Sequence, residues 1–175
     1  MDGAWVIERP QRLDQVLLDG LAALLTDCVD GGASVGFMQP LAPERALAFW
    51  RQVDAGLASG QRALLIARDQ HGIAGTVQLL LAQPDNQPHR ADLAKMLVHR
   101  RMRRRGLGAA LMAAAEQFAR DCGKTLLVLD TVSGDAGARL YARLGWLRCG
   151  EIPDYALMPD GALCATTYFY RRLAP

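Results

Sequence analysis

Charge of one sign is scarce in excess: 20 Lys and Arg against 18 Asp and Glu leave the 175-residue chain a formal charge of +2. So small a net charge provides no strong field for a nucleic acid or an acidic partner. Histidine is also sparse. His71, His89 and His99 stand alone, none four residues from another, and Cys28, Cys122, Cys149 and Cys164 show no C-x-x-C spacing. No metal centre is therefore expected. The scattered cysteines, each among apolar neighbours, are expected to be small core residues in a reducing compartment. No apolar run approaches the roughly 18 to 20 residues of a bilayer span, because Arg, Asp, Gln or Gly interrupts each one, and no membrane partner is expected. Residues 1–11, with Asp2, Glu8 and Arg9, contain no apolar stretch or small-residue cleavage site of an export signal, so the cytoplasm is the expected compartment.

What is present suffices for one sizeable core: 51% of residues are hydrophobic and 22% charged. No repeat, linker or low-complexity segment interrupts the chain, and a single domain over residues 1–175 is expected. Residues 5–8 are a strand candidate, after which Leu13, Val16, Leu17, Leu21, Leu24 and Leu25 recur at helical spacing. A glycine-rich turn spans residues 31–37. Pro43 then opens a second helix carrying Ala46, Phe49, Trp50, Val53 and Leu57, ended by Gly60. Three strand-like runs, 63–68, 73–81 and 90–98, read as an antiparallel meander. Helical periodicity returns at Leu107, Leu111, Ala114, Ala115 and Phe118 and stops at Gly123.

The continuous apolar run 125–129, ending in Asp130, predicts a strand buried on both faces. Residues 136–144 predict a short helix, and 146–152 and 165–171 a final strand pair joined by a loop over 153–161. This order predicts an α/β fold with a central mixed sheet and helices on both faces. Strands 90–98 and 125–129 are expected to be parallel, joined by a right-handed helical crossover.

Residues 98–108, V-H-R-R-M-R-R-R-G-L-G, fall between a predicted strand and a predicted helix. Glycines there let backbone N–H groups turn inward, and the helix dipole adds to them, so the turn can hold a phosphate or pyrophosphate. No Lys-Ser/Thr pair follows the glycines, and Leu111 stands where the dinucleotide fingerprint has its third glycine, which disfavours ATP and NAD. Arg100, Arg101, Arg103, Arg104 and Arg105 could neutralise backbone phosphates, but no aromatic is interleaved to stack bases, and a nucleic-acid partner is not expected.

In that setting Arg103, Gly106 and Gly108 resemble the Arg/Gln-x-x-Gly-x-Gly/Ala signature of the GNAT superfamily of acetyl-CoA-dependent N-acetyltransferases. Leu140, Tyr141, Gly145 and Trp146 resemble its second signature: an aromatic or leucine, a tyrosine, three residues, a glycine and an aromatic. The resemblance covers the whole chain, and residues 31–38, 129–131 and 159–161 are also similar to members that acetylate a β-lactam-containing antimetabolite toxin. It implies a mostly antiparallel sheet with one splayed parallel strand pair, and acetyl-CoA as acetyl donor. The pyrophosphate would then lie on the amides of Arg103, Arg104, Arg105, Gly106, Leu107 and Gly108. The pantetheine arm would lie against Lys95, Met96, Leu97 and Val98, with the Leu97 amide at the acetyl oxygen. Where the family often carries Asn seven residues before the tyrosine, this chain has Gly134, and Ser133 is the substitute contact.

Acyl transfer to an amine needs a neutral nucleophile, a stabilised oxyanion and a proton for the departing thiolate. A phenol of pKa about 10 can protonate a thiolate of pKa about 8.5, so Tyr141, which outside the motif would read as a core tyrosine, is the expected acid. Asp92 and Asp130 are the acidic residues nearest the expected cleft, each a base or equally a solvated or capping carboxylate. With a reference pKa of about 3.9, either would need a raised pKa, a relaying water or a role confined to binding. The resemblance puts the acceptor amine opposite the cofactor, at the turn over 31–37 and the loop over 153–161, where Phe37, Tyr155 and Met158 could shape the pocket and Asp154 could attract a cation. The expected reaction is acetyl transfer to the primary amine of a small molecule. Acetylation of protein N-termini or lysines, and acyl-CoA sensing without turnover, are the alternatives. Monomer and homodimer both remain open.

Overall fold

The computed structural model describes residues 5–174, so Asp2, part of the reading of the N-terminal segment, lies outside the described residues. Along the chain run β1 (Val6–Glu8), α1 (Gln15–Asp30), α2 (Pro43–Ala58), β2 (Arg62–Asp69), β3 (Gly72–Leu80) and β4 (Arg90–Val98). A 3-10 turn (Arg100–Met102) leads into α3 (Leu107–Asp121), β5 (Leu126–Val132), α4 (Ala136–Arg143), β6 (Leu147–Leu157) and β7 (Leu163–Arg172). The strands form one seven-stranded sheet in the order β1-β2-β3-β4-β5-β7-β6. Every neighbouring pair is antiparallel except β4 and β5, which are parallel across α3.

Period-two alternation sends the two faces of the sheet to different helices. Leu64 and Ile66 of β2 pack with Leu21, Leu25 and Trp50 of α1 and α2, while Leu65 of β2, Val77 and Leu79 of β3 and Leu127 of β5 pack with Leu111 and Met112 of α3. Asp14 caps α1, its carboxylate accepting from the Leu17 N–H at 2.9 Å, and Pro43 occupies the first turn of α2, where its missing N–H costs nothing. Leu18 is buried under α1, whereas Val16, counted in the apolar stripe by spacing, is exposed in the first turn.

Two strand readings need correction. β5 continues through Asp130 to Val132 and fully buries only Leu127 and Leu129, because its parallel neighbour β4 leaves it after Asp92 and one face stays open. β6 runs to Leu157, so Pro153, Asp154 and Tyr155 lie in a strand and the connection to β7 is the turn at 158–162. As an edge strand, β6 tolerates a proline, and an irregularity between Ile152 and Ala156, with Asp154 at φ 51°, absorbs the turn-forming residues. The cysteines also differ from expectation. All four are free, but only Cys28 is buried; Cys164 is half-buried, while Cys122 at the end of α3 and Cys149 on the edge strand are exposed.

Candidate active site

β4 and β5 pair only at Arg90 with Leu126, Ala91 with Leu127 and Asp92 with Val128. Beyond those three pairs the strands part. The gap is a cleft of about 300 Å³, walled by Ala94, Lys95 and Met96 of β4 and Asp130 and Thr131 of β5, with Tyr141 of α4 at its side. Along it the backbone of β4 has lost its partner on one side, and strand N–H and C=O groups so placed must be satisfied by something else.

Within β4 a bulge decides what faces the gap. The pairing with β3 shifts between Thr76 and Gln78, and Lys95 has φ 50°. Before it Ala91 and Leu93 face the α3 side; after it Met96 and Val98 do, while Leu97 packs with α1 and α2. The bulge turns Lys95 beneath the α1–α2 loop, its Nζ 5.5 Å from the centre of the Phe49 ring. Backbone direction also departs from expectation. The His99 N–H donates to Ala74 on β3 at 2.9 Å, and Leu97 pairs with Thr76. N–H groups two residues apart in a strand point the same way, so the Leu97 N–H faces β3 and those of Met96 and Val98 face the gap.

At the end of β4 the chain enters the arginine-rich turn. Arg104 (φ 60°) and Gly106 (φ 85°) both adopt left-handed backbone, and among the described residues no N–H from Arg104 to Ala109 is a hydrogen-bond donor to another protein group. Arg103, Arg104 and Arg105 are exposed. Unpaired N–H groups at a helix N-terminus beside three cations fit a diphosphate. Gly108 has a packing role: a Cβ there would stand 3.0 Å from Leu140 Cδ2 of α4 and 3.7 Å from Met96.

The remaining arginines are used elsewhere. The Arg100 N–H and Nε donate to Asp27 of α1 at 2.9 and 2.8 Å, and Arg101 Nη2 donates to Asp69 at 2.8 Å. Burial alone pushes the Asp27 carboxyl up, but the hydrogen bonds from Arg100 and the charges of His99 and Arg100 outweigh it and hold the carboxyl below its usual range. Ser133 is outside the cleft lining, its hydroxyl 2.7 Å from that of Thr167 on β7.

Tyr141 lies 6% exposed against Trp146 and Phe169, with ring centres 6.1 and 6.0 Å away, and lines the cleft. Burial, then the negative charges of Asp135 and Asp130, push its phenol well above the ordinary value, so it stays protonated further into alkali than the sequence alone suggests. Trp146, in the same signature, is structural: its Nε1 donates to Glu116 of α3 at 3.0 Å, and that carboxylate also meets Arg171 Nε at 3.0 Å.

The two candidate bases are separated. Asp130 faces the cleft and accepts from Thr166 Oγ1 at 2.8 Å. Asp92 sits at the closed end of the strand pair, tied to Arg90 and to Gln83 Nε2 at 3.2 Å, and is not in the lining.

On the acceptor side, Tyr155 lines the cleft and its hydroxyl lies 3.0 Å from that of Tyr168. That bond, with burial and the charge of Asp130, pushes the Tyr168 phenol up to about 12. Phe37 instead packs edge-on against Phe49 at 5.4 Å, and the exposed Asp154 sits on the irregular part of β6; neither is in the lining. Sequence reading missed Thr166, the side chain of Lys95 and Tyr168, the partner of Tyr155 just outside the lining; Ser34 falls in the 31–37 turn expected on the acceptor side but was not singled out. The alternation of Thr166 and Tyr168 on β7 was a usable signal, since both share a face with their partner strand's Asp130.

Residues 30–146 match the family model described as acetyltransferase (GNAT) family. The chain is 32% identical over 126 residues, 71% of its length and 73% of the relative's, to an uncharacterized N-acetyltransferase in the hisH-hisA intergenic region of Azospirillum brasilense. An N-acetyltransferase from Staphylococcus aureus Mu50 shares the fold with a TM-score of 0.79 at 13% identity, covering 98% of this chain and 100% of that one. The structure of yncA from Salmonella typhimurium with its cofactor acetyl-CoA does so at 0.78 and 20% identity, over 98% and 95%. The chain belongs to the GNAT family. It is an acetyl-CoA-dependent N-acetyltransferase.

Proposed function

We propose that the chain acetylates the primary amine of a small molecule, with Tyr141 as the proton donor to the leaving thiolate and Asp130 as the group that meets the acceptor amine. The observation that carries this reading is the split between β4 and β5, which brings both residues to one cleft between the unpaired turn and the acceptor loops. Acetyl-CoA, when bound, supplies the acetyl group as a thioester. The N–H groups of Arg104, Arg105, Gly106, Leu107 and Gly108 would hold its diphosphate, with Arg103, Arg104 and Arg105 adding charge. The open edge of β4 from Lys95 to Val98 would hold the pantetheine. The Met96 N–H, facing the gap, replaces that of Leu97 as the proposed donor to the acetyl oxygen. Asp130 orients the amine and takes its proton directly or through water.

A small acceptor is favoured over a protein tail because the acceptor side is narrowed by ties between its two walls. Ser34 Oγ donates to the Leu157 carbonyl at 2.8 Å and the Gln39 N–H to the Pro159 carbonyl at 3.1 Å, joining the α1–α2 loop to β6 and its turn. Of the three stretches behind the finer resemblance, to the tabtoxin resistance acetyltransferase, two border this same space, with Ser34 and Gly36, then Leu129 to Thr131, in its lining, and the third, 159–161, does not. Free thiols favour a reducing compartment, the cytoplasm. No helix among the described residues is long and apolar enough to cross a membrane.

The test is thiol release from acetyl-CoA across a panel of amines, amino acids, toxins and peptides. Turnover with a small amine supports the reading; turnover with peptides alone would replace it with protein acetylation. Binding of acetyl-CoA without turnover on any acceptor would replace it with sensing.

A further inference from the structure

Resting on that reading, we propose that the acceptor is a small amine that also carries an anionic group such as a carboxylate, and that Lys95 holds this anion. The bulge in β4 directs Lys95 out of the strand's alternation and into the cleft on the acceptor side. There its ammonium forms no ion pair with a carboxylate among the described residues; its neighbours are the face of Phe49 and the α1–α2 loop at Gly36, where even an added Cβ would lie 3.8 Å from Nζ. A half-buried cation without a counter-ion is costly, and burial, together with Arg62, lowers the Lys95 pKa although Asp130 opposes this. Arg62, whose charge also reaches Lys95, lies outside the cleft lining and is hydrogen-bonded to a neutral partner, Gln78.

Asp130 stands on the other strand with its carboxylate engaged by the Thr166 hydroxyl. Two opposite charges therefore face one cleft with no ion pair between them among the described residues, although the charge of Asp130 reaches Lys95. An acceptor bearing both an ammonium and an anion satisfies both walls, the amine at Asp130 and the anion at Lys95. An amine with no anion leaves Lys95 uncompensated and brings a second cation towards it, which is a reason to reject polyamines and peptide chains.

The experiment measures thiol release from acetyl-CoA with the free L-amino acids, with their carboxamides, and with spermidine and tryptamine. These are run on wild type, Lys95→Gln and Lys95→Arg, with calorimetric binding of acetyl-CoA to each. The best free acid is expected to exceed its carboxamide at least tenfold in kcat/KM. Lys95→Gln should remove that ratio through KM, with kcat within about threefold, and Lys95→Arg should keep it. Equal rates for acid and carboxamide in wild type, preference for spermidine or a peptide, or an unchanged ratio in Lys95→Gln would each overturn the proposal. So would silence of every anionic amine while acetyl-CoA still binds. If Lys95→Gln fails to fold, the wild-type ratio and its retention in Lys95→Arg decide. Turnover confined to uncharged or cationic amines would sink the anion site and leave acetyl transfer standing; loss of acetyl-CoA binding in wild type would remove both.

Discussion

On the donor side of the split, the proposed contacts are backbone: the N–H groups of residues 104–108 and the open edge of β4, with glycine at 106 for its left-handed φ and at 108 for its fit beneath Leu140. On the acceptor side they are side chains from five elements or loops: Ser34, Lys95, Asp130, Tyr155 and Thr166. The first arrangement constrains few residue identities, and those lie at fixed spacing within one stretch of chain. The second constrains many, scattered from residue 34 to residue 166. A donor site of the first kind serves a whole family unchanged, while an acceptor site of the second can be altered one side chain at a time.

The largest expected effect breaks the comparison at its centre. Tyr141→Phe should lower turnover by about 10² to 10⁴, the usual worth of a general acid, while acetyl-CoA affinity changes less than about twofold. Because burial and the charges of Asp135 and Asp130 raise this phenol, the wild-type pH profile should show no alkaline loss from Tyr141 near pH ~10. Wild-type turnover by the variant, with its true acceptor, would return the thiolate's protonation to solvent.

Next in size is a change to the frame beneath both sides. Glu116→Ala leaves Trp146 Nε1 and Arg171 without their buried partner and should cost on the order of 3 kcal/mol in denaturant unfolding. Both KM values should stay near wild type at low temperature. A loss below about 0.5 kcal/mol would mean that water replaces the carboxylate.

A smaller effect tests the donor side alone. Gly108→Val forces a branched side chain against Leu140 where a bare Cβ already stands at 3.0 Å. Acetyl-CoA binding by calorimetry should weaken about tenfold, roughly 1.4 kcal/mol. Arg101→Ala, which removes a partner of Asp69 and not a turn cation, should lower the melting temperature and leave that affinity nearly unchanged. Equal affinities for Gly108→Val and wild type, with the fold intact, would detach the turn from the cofactor.

The smallest effect sharpens the link between the sides, since Asp27 of α1 anchors the turn at Arg100. Its folded-state pKa is lowered, so the stability it contributes is complete above the unfolded value of about 3.8 and is lost as pH falls through the folded value. Wild type should therefore lose more stability than Asp27→Asn between pH ~5 and pH ~2. Parallel acid-unfolding curves for the two proteins would show that the anchor contributes nothing.

The donor side was largely legible because its signals are local. Arg103, Gly106 and Gly108 stand between a predicted strand and helix, and both were found in place, β4 at its predicted bounds. Tyr141 was legible through its signature, although its burial and raised pKa were not. The acceptor side was not readable to the same depth. Tyr155 reached the cleft, but Phe37 was spent on a contact with Phe49, and the turn-forming letters of residues 153–155 concealed a strand, since propensity cannot show that an edge strand will carry an irregularity.

The sequence by itself determined the element order, the parallel crossover, and the places of the glycine turn and the tyrosine proposed for the site, because each depends on periodicity or spacing within a short window. Tertiary structure decided the rest. The parting of β4 from β5 after three pairs and the positive φ of Lys95 set which N–H groups and which side chains face the cleft. A one-residue bulge reverses the facing of every residue after it, and nothing in the letters A-K-M-L-V marks where that reversal falls. The opening of Asp130 to the cleft follows from the same parting of strands, a property of the whole sheet and not of either segment, whereas Asp92, still within the paired stretch, meets Arg90 two residues away on the same face of β4.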